Sequence, residues 1–211
     1  MSHIVRTVIP KLHRDWDIKD LFGATNTTEI QTKVAKYLAD PNVLEDGNNL
    51  YIYSPVNGNG KSRIANYVLQ QLHKPRLDRE GVVGIVPIAQ VKFGEYLISR
   101  TQFTDDALAD RKLLMTVPIL LLDDVSPAFS SNNPHNDKRE LTLLVSHRRE
   151  DKHVTIITSN LVPSEFEKMF GMTAASKVLE NFSFIEIQGE DVRDIIYPDK
   201  LISDIMERGE K

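Results

Sequence analysis

The sequence predicts an α/β fold in which a parallel β-sheet is flanked by helices. Short apolar segments alternate with segments whose apolar residues recur at helical spacing, and this alternation is typical of a parallel sheet. One segment, residues 117–122, is wholly apolar, as expected of a central strand that is covered on both faces. A turn rich in glycine and asparagine, residues 57–60, joins the first predicted strand to a helix.

The elements on either side of that turn are predicted as helix, strand, turn and helix. Residues 26–39 have apolar side chains at helical spacing behind asparagine and threonine capping candidates, and this helix ends near Asp40. Residues 50–53 are apolar and aromatic, which indicates a buried strand. A helix then starts at Lys61, because the apolar residues after it follow the 3.6-residue period.

The rest of the chain alternates in the same way. Further strands are predicted at residues 81–88, 117–122, 154–158 and 184–187, and further helices at 91–98, 107–115, 141–149, 164–170 and 174–181.

Composition limits the class of protein. The 211 residues are 41% hydrophobic and 27% charged, which is ordinary for a globular chain. We expect a cytoplasmic protein with no membrane contact, because no apolar run reaches the length of a membrane span and the first residues lack a signal-peptide core. The net charge of -4 argues against a globally basic nucleic-acid binder, and the absence of cysteine excludes disulfides and cysteine-bound zinc.

The turn after the first strand carries a phosphate-binding pattern. Residues 55–62, PVNGNGKS, fit the P-loop or Walker A pattern G-x-x-x-x-G-K-[ST] except that Pro55 replaces its first glycine. Gly58 and Gly60 let backbone amides turn toward phosphate oxygens, the lysine can contact the β- and γ-phosphates of ATP, and the serine can bind Mg²⁺. An ordinary turn before a helix is the alternative. The predicted nucleotide-binding residues are Asn57, Gly58, Asn59, Gly60, Lys61 and Ser62, with Ser62 also a metal ligand.

Two other strands bring polar residues to the same predicted edge of the sheet. The apolar run 117–122 is followed by Asp123 and Asp124. Asp123 is predicted to hold Mg²⁺ and Asp124 to orient the attacking water as a catalytic residue, although capping of the next element is the alternative. The run VTIIT is followed by Ser159 and Asn160, and an amide there can sense the γ-phosphate, whereas Ser-Asn alone is a common turn. The order of the three motifs indicates an AAA+ ATPase.

The sequence resembles helicase loaders of the DnaC/DnaI type and their relative IstB, a helper ATPase of insertion elements. The resemblance spans residues 50–194 and is carried by TSNL after the Asp-Asp strand and by a closing G-x-D-x-R motif at residues 189–193. It implies an AAA+ P-loop NTPase core that binds ATP and Mg²⁺ and self-associates when ATP is bound. It also implies that the protein helps to place a replicative DNA helicase on single-stranded DNA. The small size indicates a phage-encoded or minimal member.

Two departures from the family pattern affect these expectations. Lys177 stands where family members carry an arginine that reaches into a neighbour's ATP site; it either takes that catalytic role or is a solvated helix residue, and we expect weak hydrolysis that acts as a switch. Residues 1–45 form a short N-terminal helical extension before an ATPase domain of residues 46–211, without the zinc-binding domain of some loaders. The apolar residues of the extension include Trp16, Ile18, Leu21 and Phe22. We predict that they contact the helicase, and packing on the core is the alternative.

The candidates for binding single-stranded DNA are Lys92, Phe93 and Arg100, because cations near an aromatic ring can follow a strand and stack on its bases. Burial of Phe93 in the core, with the cations solvated, is the more usual outcome of this spacing.

Some arginines and two other functions stay open at this point. Arg148 and Arg149 either face a neighbouring subunit or the nucleotide or form a charged helix end, and Arg193 in the closing motif has no assigned contact. The alternatives to a loader are a transposition helper that binds double-stranded DNA and a small-molecule P-loop kinase.

Overall fold

The computed structural model describes residues 5–9, 17–20, 25–77, 83–126, 134–180 and 182–191. The strands are β1 (Asn49–Tyr53), β2 (Arg76–Leu77), β3 (Val83–Gly84), β4 (Ile88–Lys92), β5 (Ile119–Val125), β6 (Val154–Ser159) and β7 (Phe182–Glu186). The helices are α1 (Thr27–Ala39), α2 (Lys61–His73), α3 (Phe93–Ser99), α4 (Asp105–Thr116), α5 (Pro134–Glu150), α6 (Pro163–Phe170) and α7 (Met172–Leu179), and a 3₁₀ helix covers Ile18–Asp20.

Five parallel strands form the main sheet, in the order β4-β5-β6-β1-β7. The central strand β5 pairs with β4 on one side and β6 on the other, and Ile119 to Leu122 are completely buried. This burial explains why the run has no polar residue, and the predicted α/β fold with a parallel sheet is confirmed. Within the described residues, no helix is long and apolar enough to cross a membrane.

Helices cover both faces of the sheet because successive strand residues point to opposite sides. Leu50 and Ile52 of β1 pack with α1 and α2 on one face, and Tyr51 between them packs with α3, α5 and α6 on the other. The ring of Tyr51 meets that of Phe166 edge to face, with the centroids 5.7 Å apart. The sheet is therefore the middle of three layers.

Helix α1 belongs to the core. Its residues Ile30, Val34 and Tyr37 are buried in the same cluster as β1, so the boundary predicted at residue 45 does not separate this helix from the sheet. Ile18 also packs against this cluster, and its carbonyl accepts a hydrogen bond from Gln31. For Ile18 the structure favours packing on the core over an exposed partner contact. Residues 16, 21 and 22 lie outside the described residues.

The second strand of the main sheet begins later than predicted. The expected strand at residues 81–88 is replaced by β4, and residues 83–84 instead form a short antiparallel pair with β2. Proline has no amide hydrogen to donate to a ladder, and β4 begins directly after Pro87, at Ile88. Consequently α3 starts at Phe93. On the outer edge of β4, Arg6 and Gln90 exchange two backbone hydrogen bonds, of 2.9 and 2.8 Å.

Candidate functional site

The loop between β1 and α2 has the shape of an anion-binding turn. Gly58 has φ 73° and Gly60 has φ 101°, both in the left-handed region that favours glycine. Gly60 caps α2, which begins at Lys61, so the positive end of the helix dipole faces the loop. A Cβ atom at Gly60 would meet no heavy atom within 4 Å, so the requirement for glycine there comes from the backbone conformation.

The ammonium group of Lys61 lies inside this loop. Its Nζ atom donates to the carbonyl oxygen of Val56 at 2.6 Å and is 3.3 Å from that of Ser54. The side-chain oxygen of Asn59 is a third acceptor, at 3.4 Å. A cation surrounded by weak neutral acceptors can exchange them for stronger, charged ones. The loop therefore holds a positive charge where its amides and the helix N-terminus also favour an anion.

Asn59 and Ser54 fix the loop to the sheet. The amide nitrogen of Asn59, which is completely buried, donates to Ser54 Oγ at 2.5 Å and to the carbonyl of Ile187 at 3.4 Å. The backbone amide of Ser54 donates to the carbonyl of Ser159 at 3.2 Å. The side chain of Asn59 is thus a structural brace, whereas Asn57 is exposed on the loop. Sequence patterns gave no signal for Ser54, since its role depends on contacts with β6.

Ser62 and Asp123 meet although 61 residues separate them. Ser62 Oγ donates to Asp123 Oδ1 at 2.9 Å, which joins the start of α2 to the end of β5. Hydroxyl and carboxylate oxygens are the hard ligands that Mg²⁺ prefers. In the part of the chain that the structure describes, no group of three or more acidic, histidine or cysteine side chains could hold a metal alone. The pair fits Mg²⁺, which takes most of its ligands from water and phosphates.

Asp124 follows with an unusual backbone and a perturbed carboxyl group. It has φ 59°, rare for a residue other than glycine. Burial raises the pKa of its carboxyl group, the charge of Asp123 raises it further, and Lys61 and Lys92 act in the opposite direction. A raised pKa makes a carboxylate a better proton acceptor. Asp124 therefore has the chemistry of a general base.

Asn160 directly follows β6 at the same edge. The carbonyl oxygen of the preceding residue, Ser159, accepts a hydrogen bond from the backbone amide of Ser54, which directly follows β1. The end of β6 therefore adjoins the loop. The Oδ1 atom of Asn160 is buried and has no hydrogen-bond partner among the described residues. Buried polar atoms are rarely left unpaired, and such an atom beside a phosphate-binding loop is a candidate for contact with a ligand or its water.

The three predicted DNA-binding residues do not form one surface. Phe93 is 1% exposed and packs in the core, so the prediction that it stacks on bases is wrong. Arg100 forms an ion pair with Glu140 at 2.5 Å. Lys92 is exposed at the end of β4, in register with Asp123, and thus lies at the edge that carries the acids. The shifted strand boundary explains the error, because Phe93 is the first residue of α3 and turns inward.

An exposed aromatic ring does occur nearby, at Phe103 in the turn between α3 and α4. Its side chain is 85% exposed. The guanidinium of Arg111 lies 5.8 Å from the centre of the ring, and its Nη2 atom donates to the carbonyls of Ser99 and Gln102. These bonds hold a cation beside an accessible ring. The sequence contained a signal for it, since Phe103 is the single large apolar residue in an otherwise polar turn.

Arg148 lies at the opposite, amino-terminal edge of the sheet. It is completely buried and donates to the carbonyls of Leu114, Val117 and Val154 and to the hydroxyl of Thr155, at 2.6 to 3.0 Å. Burial lowers the pKa of its guanidinium to about 9, so the group is still charged at neutral pH. Arg148 therefore faces neither a nucleotide at the carboxyl edge nor a neighbouring subunit.

Arg149 is exposed and pairs with Glu180 at 2.9 Å, which agrees with a charged helix end. Lys177 lies in α7, but its side chain is outside the described part of the structure. Arg193 is also outside the described residues. The proposed role of Lys177 in a neighbour's site stays a prediction.

Comparison with known proteins gives matches in structure. No protein-family model matches the sequence, and no curated protein is similar to it by sequence. The DnaC helicase loader is 16% identical with a TM-score of 0.64, over 85% of this chain and 100% of that chain. DnaI is 16% identical with a TM-score of 0.65, over 87% and 94%. Replication initiator DnaA, in a structure with AMPPCP and single-stranded DNA, is 16% identical with a TM-score of 0.62, over 92% and 56%.

These matches in structure support the fold of the chain. The resemblance to DnaC/DnaI-type loaders is confirmed at that level, and the five-stranded parallel sheet with its flanking helices is the same architecture. The chain therefore shares the α/β fold of these solved structures, which is the fold class that the sequence predicts.

Proposed function

We propose that the protein is an ATP-binding AAA+ ATPase that helps to place a replicative DNA helicase on single-stranded DNA, with slow ATP hydrolysis as a switch. The observation that carries the nucleotide part is the meeting of three separate segments at one edge of the sheet. Lys61 lies inside the phosphate loop, Ser62 is hydrogen-bonded to Asp123, and the buried oxygen of Asn160 follows the next strand. Such an edge is where open α/β sheets bind ligands.

Each group then has a separate role in binding and hydrolysis. The loop amides, the N-terminus of α2 and Lys61 bind the phosphates of ATP. Ser62 and Asp123 hold Mg²⁺, which when bound neutralises part of the phosphate charge. Asp124 accepts a proton from the attacking water, and its raised pKa favours this transfer. The unpaired Oδ1 of Asn160 accepts a hydrogen bond from the attacking water, and its Nδ2 group can donate to the γ-phosphate, so the side chain reports whether ATP is intact.

Two residues, Lys177 and Pro55, are the reason that we expect slow hydrolysis. A neighbouring subunit in an ATP-dependent assembly would supply Lys177 in place of an arginine, and an ammonium group cannot clamp a phosphoryl group with the planar fork of a guanidinium. Pro55 adds a second departure, since it replaces the first glycine of the loop. ATP binding would then set the state of the protein, and hydrolysis would reset it slowly.

The DNA part of the proposal is supported by the hairpin of α3 and α4. Phe103 replaces Phe93 as the candidate for stacking on bases, because its ring is accessible and has the guanidinium of Arg111 beside it. Base–aromatic stacking with nearby cations is the common way to bind single strands without sequence preference. The fold likeness to DnaC and DnaI supports a helicase as the protein partner, which we propose also for this chain.

Nucleotide binding is tested with Lys61→Ala, using a fluorescent ATP analogue and Mg²⁺. We expect a loss of about 2 to 5 kcal/mol in binding free energy, the range for truncating one partner of a hydrogen-bonded charge pair. The control is Lys74→Ala, an exposed lysine just beyond the other end of α2, which should bind like the wild type. Asp124→Asn should bind ATP and lose hydrolysis. Normal binding by Lys61→Ala would overturn the nucleotide proposal.

The partner is tested by co-purification with a replicative helicase, with ATP, with ADP and without nucleotide. Association that depends on ATP supports loading. Absence of association under all three conditions would reject the helicase, and tight binding to double-stranded DNA in the same experiments would favour a transposition helper instead.

A further inference from the structure

The ladder between β5 and β6 contains an irregularity at the acids. The two strands pair in step as far as Leu122 with Ile157, and pairing resumes with Val125 opposite Ser159. Two residues of β5, Asp123 and Asp124, therefore face one residue of β6, which is Thr158. An extra residue of this kind is a β-bulge, and it leaves a backbone group without its regular partner in the ladder.

The bulge changes where the two carboxylates can go. In a regular strand, consecutive side chains point to opposite faces of the sheet, so adjacent aspartates could not serve one site. Asp124 leaves this alternation by adopting φ 59°, a left-handed conformation that is unfavourable for an L-residue. Such a conformation persists only if its surroundings hold it.

The hydroxyl group of Thr158 holds the bulge at two points. Its Oγ1 atom accepts a hydrogen bond from the backbone amide of Asp124 at 2.8 Å and donates one to Asp123 Oδ1 at 2.5 Å. One hydroxyl can make both bonds, since it has one hydrogen and two lone pairs. The side chain thus supplies the acceptor that the interrupted ladder cannot, and with the same atom it orients the neighbouring carboxylate.

We propose that Thr158 is a positioning residue for ATP hydrolysis, because its hydroxyl group fixes the bulge that directs Asp123 and Asp124 toward one site. Thr158 is 1% exposed, so it acts through the acids and not by touching the nucleotide. The inference rests on the proposed ATPase function. It goes beyond that function by assigning the geometry of both acids to one buried hydroxyl group two residues before Asn160.

The shared oxygen of Asp123 gives this arrangement a further consequence. Oδ1 accepts from Ser62 as well as from Thr158. Ser62 would bind a metal ion through an oxygen lone pair and could still donate its hydrogen to Asp123, and the bond from Thr158 would be unaffected. Thr158 then keeps the carboxylate in place with and without the metal ion, and loss of its hydroxyl should weaken the dependence on Mg²⁺ as well as the chemical step.

The test compares Thr158→Val, which removes the hydroxyl group at constant shape, with Thr158→Ser, which restores it. We expect Thr158→Val to lower kcat and to raise the Mg²⁺ concentration for half-maximal ATP binding, each by about 10- to 100-fold, as for other residues that orient metal ligands. ATP binding in EDTA should match the wild type. Thr158→Ser should stay within about threefold of wild type in both measurements.

The matched control is Thr155→Val on the same strand. Thr155 is completely buried, and its hydroxyl group accepts from Arg148 at the other end of β6. Its loss should lower the melting temperature and leave kcat and the Mg²⁺ dependence unchanged. If Thr155→Val and Thr158→Val change these quantities equally, Thr158 is an ordinary buried hydroxyl and the proposal is wrong.

A second measurement needs no variant. Hydrogen exchange of the Asp124 amide, followed by NMR in the wild type, should be slow because Thr158 accepts its hydrogen bond. Free exchange of this amide would overturn the proposal even if Thr158→Val fails to fold. If the wild type neither binds nor hydrolyses ATP, the proposed function fails, whereas wild-type activity with a fully active Thr158→Val refutes this inference alone.

Discussion

Replacement of Arg148 by methionine tests how the amino-terminal edge of the sheet is held. The guanidinium ties α4, α5 and β6 together through three carbonyls and one hydroxyl near the start of β6, whereas the end of β6 is the part that adjoins the phosphate loop. No carboxylate of the described residues forms an ion pair with it. The charge is compensated by neutral acceptors, so removal of the side chain leaves those acceptors without donors.

The magnitude follows from these bonds. Each buried carbonyl that loses its donor costs about 1 to 3 kcal/mol, and three carbonyls at the lower end give about 3 kcal/mol. We use the lower end of the range because the variant also removes a buried charge, and burial of that charge is unfavourable. The unfavourable burial is visible in the pKa of Arg148, which burial alone lowers to about 9. In a chain of this size 1 kcal/mol corresponds to about 2–4 °C in melting temperature, so we expect a fall of about 6 to 12 °C.

The assay is thermal unfolding of Arg148→Met beside Arg149→Met. Arg149 is the adjacent residue, and its ion pair with Glu180 is 41% and 60% exposed, so its loss should cost less than about 1 kcal/mol. ATP binding below the melting transition should be the same in both variants. Equal melting temperatures for the two variants would refute the reasoning, because burial and hydrogen bonding are what distinguish them.

The remaining predictions concern a backbone contact, the exposed ring and the metal. Gly47→Ala should destabilise the fold by more than about 1 kcal/mol in urea unfolding. The reason is that Gly47 has φ +67° and that a Cβ atom there would lie 2.5 Å from the carbonyl carbon of Lys152. At Gly84 a Cβ atom would meet no heavy atom within 4 Å, so Gly84→Ala should be neutral. Phe103→Ala should weaken single-stranded DNA binding by about 1 to 3 kcal/mol in a fluorescence titration, and Leu108→Ala, also exposed, should not. Chelation of Mg²⁺ should stop phosphate release and be reversed by adding Mg²⁺.

The sequence predicted those parts of the fold and site that depend on local pattern. Residues 154–158 are all β-branched, as is typical of a buried strand, and β6 was recognised to within one residue. The phosphate loop is also local, since strand, glycine turn and helix are consecutive. Placing Ser62 near Asp123 required one topological rule, that the carboxyl ends of parallel strands share an edge, and the hydrogen bond between them agrees with it.

The sequence did not predict features that depend on register. Arg148 and Arg149 are identical neighbours, and only their positions relative to β6 decide that one is buried and the other solvated. Phe93 is buried because it lies on the inner face of α3, whereas Phe103 lies in the exposed turn before α4, and the helical spacing alone did not distinguish the two faces. Thr158 lies in a run of β-branched residues with no motif of its own. Its role appears when the bulge in β5 places two aspartates opposite it.

Strand β6 carries residues of both groups, those that contact Arg148 and those near the candidate ATP site, at its two opposite ends. Its first residues, Val154 and Thr155, accept hydrogen bonds from Arg148, and its end carries Thr158 with Asn160 directly after it. If the amino edge serves stability and the carboxyl edge serves chemistry, substitutions at the first should change the melting temperature without changing ATP binding. Substitutions at the second should change ATP binding or hydrolysis, and those that remove buried hydrogen bonds, as at Thr158, should lower the melting temperature as well. The effects of a variant at each end should then add, because the two sites share no partner and lie at opposite ends of the strand.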